Sequence, residues 1–306
     1  MPFPAAIRTF ANQKHLFSPR MKQELYSHKS FAKRWPLRNV LRTLIFSFLC
    51  LLFIASTGCE SANEPKTALQ KIQQRGYVIV GTAGDYRPMT FKEADGTYWG
   101  FDIDLAEMIA KDMGVKVSYV PTSWPTLTKD VLTEGYMDLA IGGITITEKR
   151  KQEMLMSDGY LHNGKTILCR ASEAERFHSL DDVNQADVTV MVNPGGQNEV
   201  FARTHLTNVK AIKVHERNEE IPTLIAEGQA DVMITEILEA PYYVQNDKRL
   251  AAPLLSQPFT DGEVGVLLSP DNQAVLDHIN ALIQRIKSDG SLKKLHEKYG
   301  FVYRYN

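Results

Sequence analysis

The segment Asp231–Pro241, DVMITEILEAP, carries two carboxylates, Glu236 and Glu239, three residues apart at the end of an apolar run. One acid in such a place can hold a ligand's ammonium group. A second one has proton donation open to it, provided burial or a neighbouring acid raises its pKa. Other residues suit the gripping and enclosing of a small anion. Arg150, in the charged run EKRKQE, can hold a carboxylate through two parallel hydrogen bonds, with the Thr145 hydroxyl nearby; the same run also reads as a solvated face. Tyr86 and Trp124 offer flat apolar walls with a polar edge, although isolated aromatics more often fill a core. In NPGGQNE, Asn193 to Glu199, glycines allow close backbone approach and the following N–H groups suit an anion. Asn198 is the preferred contact there and Gln197 the second; a purely structural turn is the plain alternative. Lys165 can bind a carboxylate or stabilise a leaving hydroxyl, or be solvated like most lysines.

Several chemistries are excluded. The histidines, His162 and His215 among them, show no H-E-x-x-H or cysteine-paired metal spacing. No P-loop or nucleophile elbow occurs, and NPGGQNE lacks the dinucleotide spacing G-x-G-x-x-G. Cys169 sits in an apolar strand, which favours an inert core thiol over a nucleophile. A formal net charge of −1 over 306 residues argues against a nucleic-acid partner. No internal repeat appears.

These groups need a scaffold, and the sequence predicts one from residue 70 onward. Strands are expected at Tyr77–Val80, Val115–Val120, Asp138–Gly142, Thr166–Cys169, Val188–Val192, Val209–Val214, Asp231–Ile234 and Val264–Leu268. Helices are expected at Phe101–Met113 (closed by Gly114), Leu127–Leu132, Asn198–Thr204, Ile221–Glu227, Ala274–Ile286 and Leu292–Tyr299. Such alternation predicts α/β structure with mainly parallel sheets. The series restarts near residue 170, so two lobes are expected, with ligand at strand carboxyl ends in the cleft between them.

The first residues have another task. Arg34, Arg38 and Arg42 precede the apolar run Leu44–Ala55, which ends in STGC. That is the form of an export signal, too short for the ~20 residues of a spanning helix. STGC resembles a bacterial lipobox with Cys59 as the lipidated residue and Ser56 where an aliphatic residue is usual; plain cleavage or an uncleaved anchor are the alternatives. Residues 1–58 are therefore assigned to targeting and 59–69 to a linker.

GTAGDYRPMTF, GFDIDLAEMIA, DLAIGGITITEKR and ADVMITE occur in the order seen in extracytoplasmic solute-binding proteins of the amino-acid type (family 3), and the resemblance spans about residues 70–300. It implies a two-lobed, type II periplasmic-binding-protein-like fold with two crossover strands near 165–171 and 258–266. Lobe 1 would comprise 70–166 and 262–306, and lobe 2 residues 167–261. Arg150 stands at the spacing of the family's carboxylate clamp and Glu236 at the acid that holds an ammonium group. Within the superfamily, Gly84–Pro88, Thr122–Pro125, Asp158–Thr166, Asn193–Glu199 and Glu239-Ala240 resemble the cyclohexadienyl dehydratases. Gln197 stands where that pattern has threonine, Glu236 where it has aspartate, and Pro241 follows the second glutamate. The narrower resemblance implies a cofactor-free lyase acting on prephenate or arogenate. Glu239 would be the proton donor, Lys165 its partner in catalysis, and Asp85, Tyr86, Trp124, Thr145, Arg150, Gln197, Asn198 and Glu236 the substrate contacts. The rival expectation is an amino-acid-binding protein serving the permease of an ABC transporter. Pro241 leaves open where the following helix starts, and with it where Glu239 points.

Overall fold

The computed structural model describes residues 66–305. Cys59 and the targeting segment lie outside that range. Thr67 caps the first helix, Ala68–Arg75, through a reciprocal box with Gln70, so helix begins inside the expected linker.

The first sheet has the strand order Lys116–Pro121, Tyr77–Thr82, Leu139–Ala140, Leu267–Leu268, Leu155–Met156. Its first three strands run parallel and the last two antiparallel to their neighbours. The helix Phe101–Met113 packs beneath it, closed as expected by Gly114 at φ 74°. The helix Gln273–Ser288 buries Val275, Leu276, Ile279, Leu282, Ile283 and Ile286, the i, i+3/i+4 stripe legible in the sequence.

The second sheet has the order Ala211–Val214, Thr189–Val192, Val232–Glu236, Lys165–Arg170, Leu250–Ala251. Three parallel strands are followed by Lys165–Arg170, which runs antiparallel to both of its neighbours. Its central strands are buried on both faces, which is why they read as unbroken apolar runs rather than as alternation.

Between the sheets, Leu161–Asn163 pairs antiparallel with Gly262–Val264. The chain therefore passes between lobes at this ribbon. Lys165–Arg170, which was expected to cross, belongs to the second sheet instead. The slip arises because Leu161–Asn163 is only three residues long and a strand that short shows no period. A small three-stranded sheet of Asp85–Tyr86, Thr90–Lys92 and Tyr98–Trp99 projects Tyr86 toward the cleft.

Candidate active site

Glu236 ends the strand Val232–Glu236, and its register partner across the antiparallel pair is Lys165. That pairing brings acid and base together: Lys165 Nζ donates to Glu236 Oε1 and, at 2.7 Å, to Asn198 Oδ1. From the other lobe, Tyr86 donates its phenolic O–H to Glu236 Oε2, and Thr145 Oγ1 donates to Oε1 at 3.3 Å. Burial pushes the Glu236 carboxyl up, but the Lys165 charge and the hydrogen bonds from Lys165, Tyr86 and Asn163 prevail and hold it below the usual glutamate value. Glu236 is a buried, ionised acid.

The chain turns immediately after this strand. Glu239 N donates to Glu236 O at 3.0 Å, and the helix Ala240–Asn246 follows with Glu239 as its N-cap residue and Pro241 in its first turn. Proline is at home there because its missing N–H has no intrahelical partner to lose. The turn folds the Glu239 side chain inward, where it is fully buried. Thr235 Oγ1 hydrogen-bonds its Oε2, and Asn218 Nδ2 donates to its Oε1 at 2.7 Å. Burial drives this carboxyl up to about 8, against the lowering effect of the Thr235 and Asn218 hydrogen bonds and with the help of the charges on Glu236 and Asp85. Lys165 turns to Glu236 rather than to Glu239, and the helix N-terminus does not offset the loss of water. Glu239 therefore keeps its proton at neutral pH.

A cavity of about 20 Å³ lies between the lobes, lined by Tyr86, Trp124, Thr145, Arg150, Lys165, Gln197, Asn198 and Glu236 among others. It has room for about one water molecule. Arg150 is the one side chain of EKRKQE that is not exposed. Its Nη1 donates to the Thr145 carbonyl at 2.6 Å, and burial lowers its pKa despite the nearby Glu236 charge. Trp124 meets Tyr86 edge-on, with ring centroids 6.1 Å apart, and its Nε1 donates to Asp85 Oδ1 at 3.1 Å. Burial, opposed by that bond, raises the Asp85 carboxyl to about 6. Asn198 is buried in the first turn of the helix Gln197–His205. Glu239 and Asp85 stand outside the lining. Gly143 is forced by this arrangement: its φ is 69°, and a Cβ there would sit 2.3 Å from the Tyr86 ring.

Two polar residues of the site escaped sequence reasoning as individual contacts, Asn218 and Asn193. Both line the cavity, both are buried, and the Oδ1 of each has no hydrogen-bond partner among the described residues. Asn218 also donates to the Asp85 carbonyl at 3.2 Å, so it ties Glu239 to the first lobe. Its position just past the strand Ala211–Val214 is the carboxyl-end location where α/β proteins gather ligand contacts, and that was the available signal. Cys169 is buried, and burial raises its thiol to about 12, which leaves it inert at neutral pH. Among the described residues no three His, Cys, Asp or Glu side chains group as a metal site.

The model of the bacterial extracellular solute-binding proteins, family 3, matches residues 78–302. Cyclohexadienyl dehydratase of Pseudomonas aeruginosa is 35% identical over 258 residues, covering 84% of this chain and 94% of that protein. The L-cystine-binding protein TcyJ of Escherichia coli K12 is 27% identical over 266 residues, covering 86% and 97%. Among solved structures, an ancestral amino acid-binding protein, a precursor of cyclohexadienyl dehydratase, superposes with a TM-score of 0.71 at 36% identity, over 76% of this chain and 99% of its own. A mutant of ArgBP from T. maritima does so with a TM-score of 0.70 at 27% identity, over 76% and 99%.

Proposed function

Because the chain belongs to family 3 of the bacterial extracellular solute-binding proteins, a family that works outside the cytoplasm, we propose that it is a cyclohexadienyl dehydratase using the solute-binding cleft as an active site. The reaction would convert prephenate to phenylpyruvate, arogenate to phenylalanine, or both. The observation that carries this reading is Glu239, a fully buried acid beside the cleft whose pKa of about 8 keeps it protonated. The 35% identity to the Pseudomonas aeruginosa enzyme supports it.

In that reaction the ring hydroxyl and the carboxylate on the opposite ring carbon depart together. The C–COO⁻ bond breaks and releases CO2, its electron pair enters the ring, and the C–O bond breaks at the far side. One proton is consumed, and the hydroxyl leaves as water rather than hydroxide. Glu239 supplies that proton and is recharged from solvent; general-acid catalysis of this kind contributes about 10²–10⁴-fold. Arg150, with the Thr145 hydroxyl, clamps a substrate carboxylate, and Tyr86 and Trp124 flank the ring. Lys165, Asn198 and Gln197 complete the polar surround, and Asp85 holds the Trp124 ring from behind through its Nε1. Lys165 has a second consequence. Its ammonium already sits on Glu236, where an amino-acid ligand would place its own, so the cleft is suited to a substrate such as prephenate that lacks an amino group.

A second reading is an amino-acid-binding protein delivering its ligand to an ABC transporter. It is favoured by Arg150 and Glu236 lining one cavity, a pairing that holds the carboxylate and ammonium of an amino acid where the ligand displaces Lys165 from Glu236. Incubation of the purified protein with prephenate or arogenate separates the two: the enzyme reading expects phenylpyruvate or phenylalanine to accumulate. Tight amino-acid binding with no turnover of either compound establishes the transporter reading instead. We further propose that export is followed by lipidation at Cys59, which a mass shift at that residue would reveal and an unmodified or absent Cys59 would refute.

A further inference from the structure

A second and much larger cavity, about 670 Å³, also opens between the lobes. It lies behind the turn that carries the two glutamates. Glu236 faces the first cavity, whereas Ile237, Leu238, Pro241 and Tyr242 line the second. Its volume falls in the range of small-molecule sites, roughly 300–1,000 Å³. The walls are aromatic: Trp99 from the first lobe and Tyr242 from the second stand with ring centroids 6.5 Å apart, and Phe301 of the C-terminal segment joins them. Leu161 and Leu255 add aliphatic surface.

The charged rim selects the ligand's sign. Glu297 is within 4.0 Å of Lys293, and Lys298 pairs with Asp104 at 2.5 Å. Arg304 lines the same cavity, is exposed, and makes no ion pair among the described residues. His162 is taken up by stacking on Tyr305, with centroids 5.1 Å apart. An unpaired guanidinium beside aromatic walls suits a carboxylate attached to a ring.

We propose that this second inter-lobe cavity is a binding site for a small aromatic carboxylate, held with its ring against Trp99 and Tyr242 and its carboxylate at Arg304. The ligand touches both lobes, so it favours the conformation in which they are together. It also packs against the turn between the two glutamates, which links its occupancy to the first site. The binding claim holds whether that first site is catalytic or not.

The test is calorimetric titration of the full chain with 3-phenylpropionate, which has a ring and a carboxylate but no ammonium group. Saturable binding is expected, retained within about twofold in Arg150→Ala and weakened about tenfold or more in Arg304→Glu and in Tyr242→Ala. Replacing the probe by 3-phenylpropylamine should weaken binding about tenfold or more as well. Arg304 is exposed, so its variant tests the site even if the Tyr242 variant fails to fold. Absence of saturable binding, loss of binding in Arg150→Ala, or unchanged binding in Arg304→Glu would each overturn the proposal.

Discussion

Glu236 and Glu239 share a turn and a burial class yet hold opposite protonation states, and the difference lies in their neighbours. Both lose water, which favours the neutral acid. Glu236 recovers the loss through the Lys165 ammonium and the Tyr86 hydroxyl. Glu239 meets only the neutral donors Thr235 and Asn218 and feels two further acids. The pH dependence of kcat should follow from this. Activity is expected to fall as pH rises past about 8, where Glu239 gives up its proton; a rate that is flat or still rising there would remove Glu239 as the donor. Lys165→Ala should cost about 3–5 kcal/mol in urea denaturation, because it leaves Glu236 buried and charged without a partner. Adding Glu236→Gln to it should restore much of that loss, an outcome that generic damage to the strand would not give.

At the scale of elements, the site depends on two turns. Pro241 occupies the first turn of the helix Ala240–Asn246 and leaves Glu239 at the N-cap, so it does not displace the helix start. Gly143 holds the other turn, anchored by its N–H to Oδ2 of the fully buried Asp102 at 2.5 Å. Gly143→Ala combines a positive φ with a clash on Tyr86 and is expected to cost about 1–3 kcal/mol, with weaker ligand binding through displaced Tyr86. Thermal melts with ligand titration check both, and a neutral substitution would show the turn to be slack. Long elements such as Phe101–Met113 and Gln273–Ser288 were legible because three or more helical turns repeat the apolar stripe. Strands of two or three residues, such as Leu155–Met156 and Leu161–Asn163, have no period to read. Tyr86, Trp124, Arg150 and Glu236 were singled out through ordered motifs, and the fold brings them to one cavity, with Glu239 buried behind it. Asn218 was not, since a lone asparagine in a polar stretch resembles any turn residue until the fold sets it beside Glu239.

Within residues 66–305 the two lobes are closed on one another. Tyr86 and Thr145 reach across to Glu236, and Asn218 reaches back to Asp85. The enclosed space of about 20 Å³ is too small for a six-membered ring, so substrate entry requires these bonds to open. Closure keeps water from the acids, and the buried carboxyls also shape global stability. Asp85, Asp102 and Glu239 titrate in the folded state at about 6, 7 and 8, each raised chiefly by burial. Between the unfolded carboxylate value and those pKa values the folded state binds more protons than the unfolded one. Stability should therefore be highest near the low end of that window and decline as pH rises from about 5 to 8. Urea midpoints across that range would show it, and Glu239→Gln should flatten the upper part of the slope. Glu236, with its pKa lowered, contributes the opposite trend only below the ordinary glutamate range.

The most direct measurement compares the parent protein with Glu239→Gln in two assays on the same preparations, phenylpyruvate formation from prephenate and equilibrium binding of prephenate. Turnover is expected in the parent, with a loss of about 10²-fold or more in the variant and binding held within about threefold. Equal turnover in the two proteins, or loss of binding in step with turnover, would contradict the assignment of Glu239 as the proton donor.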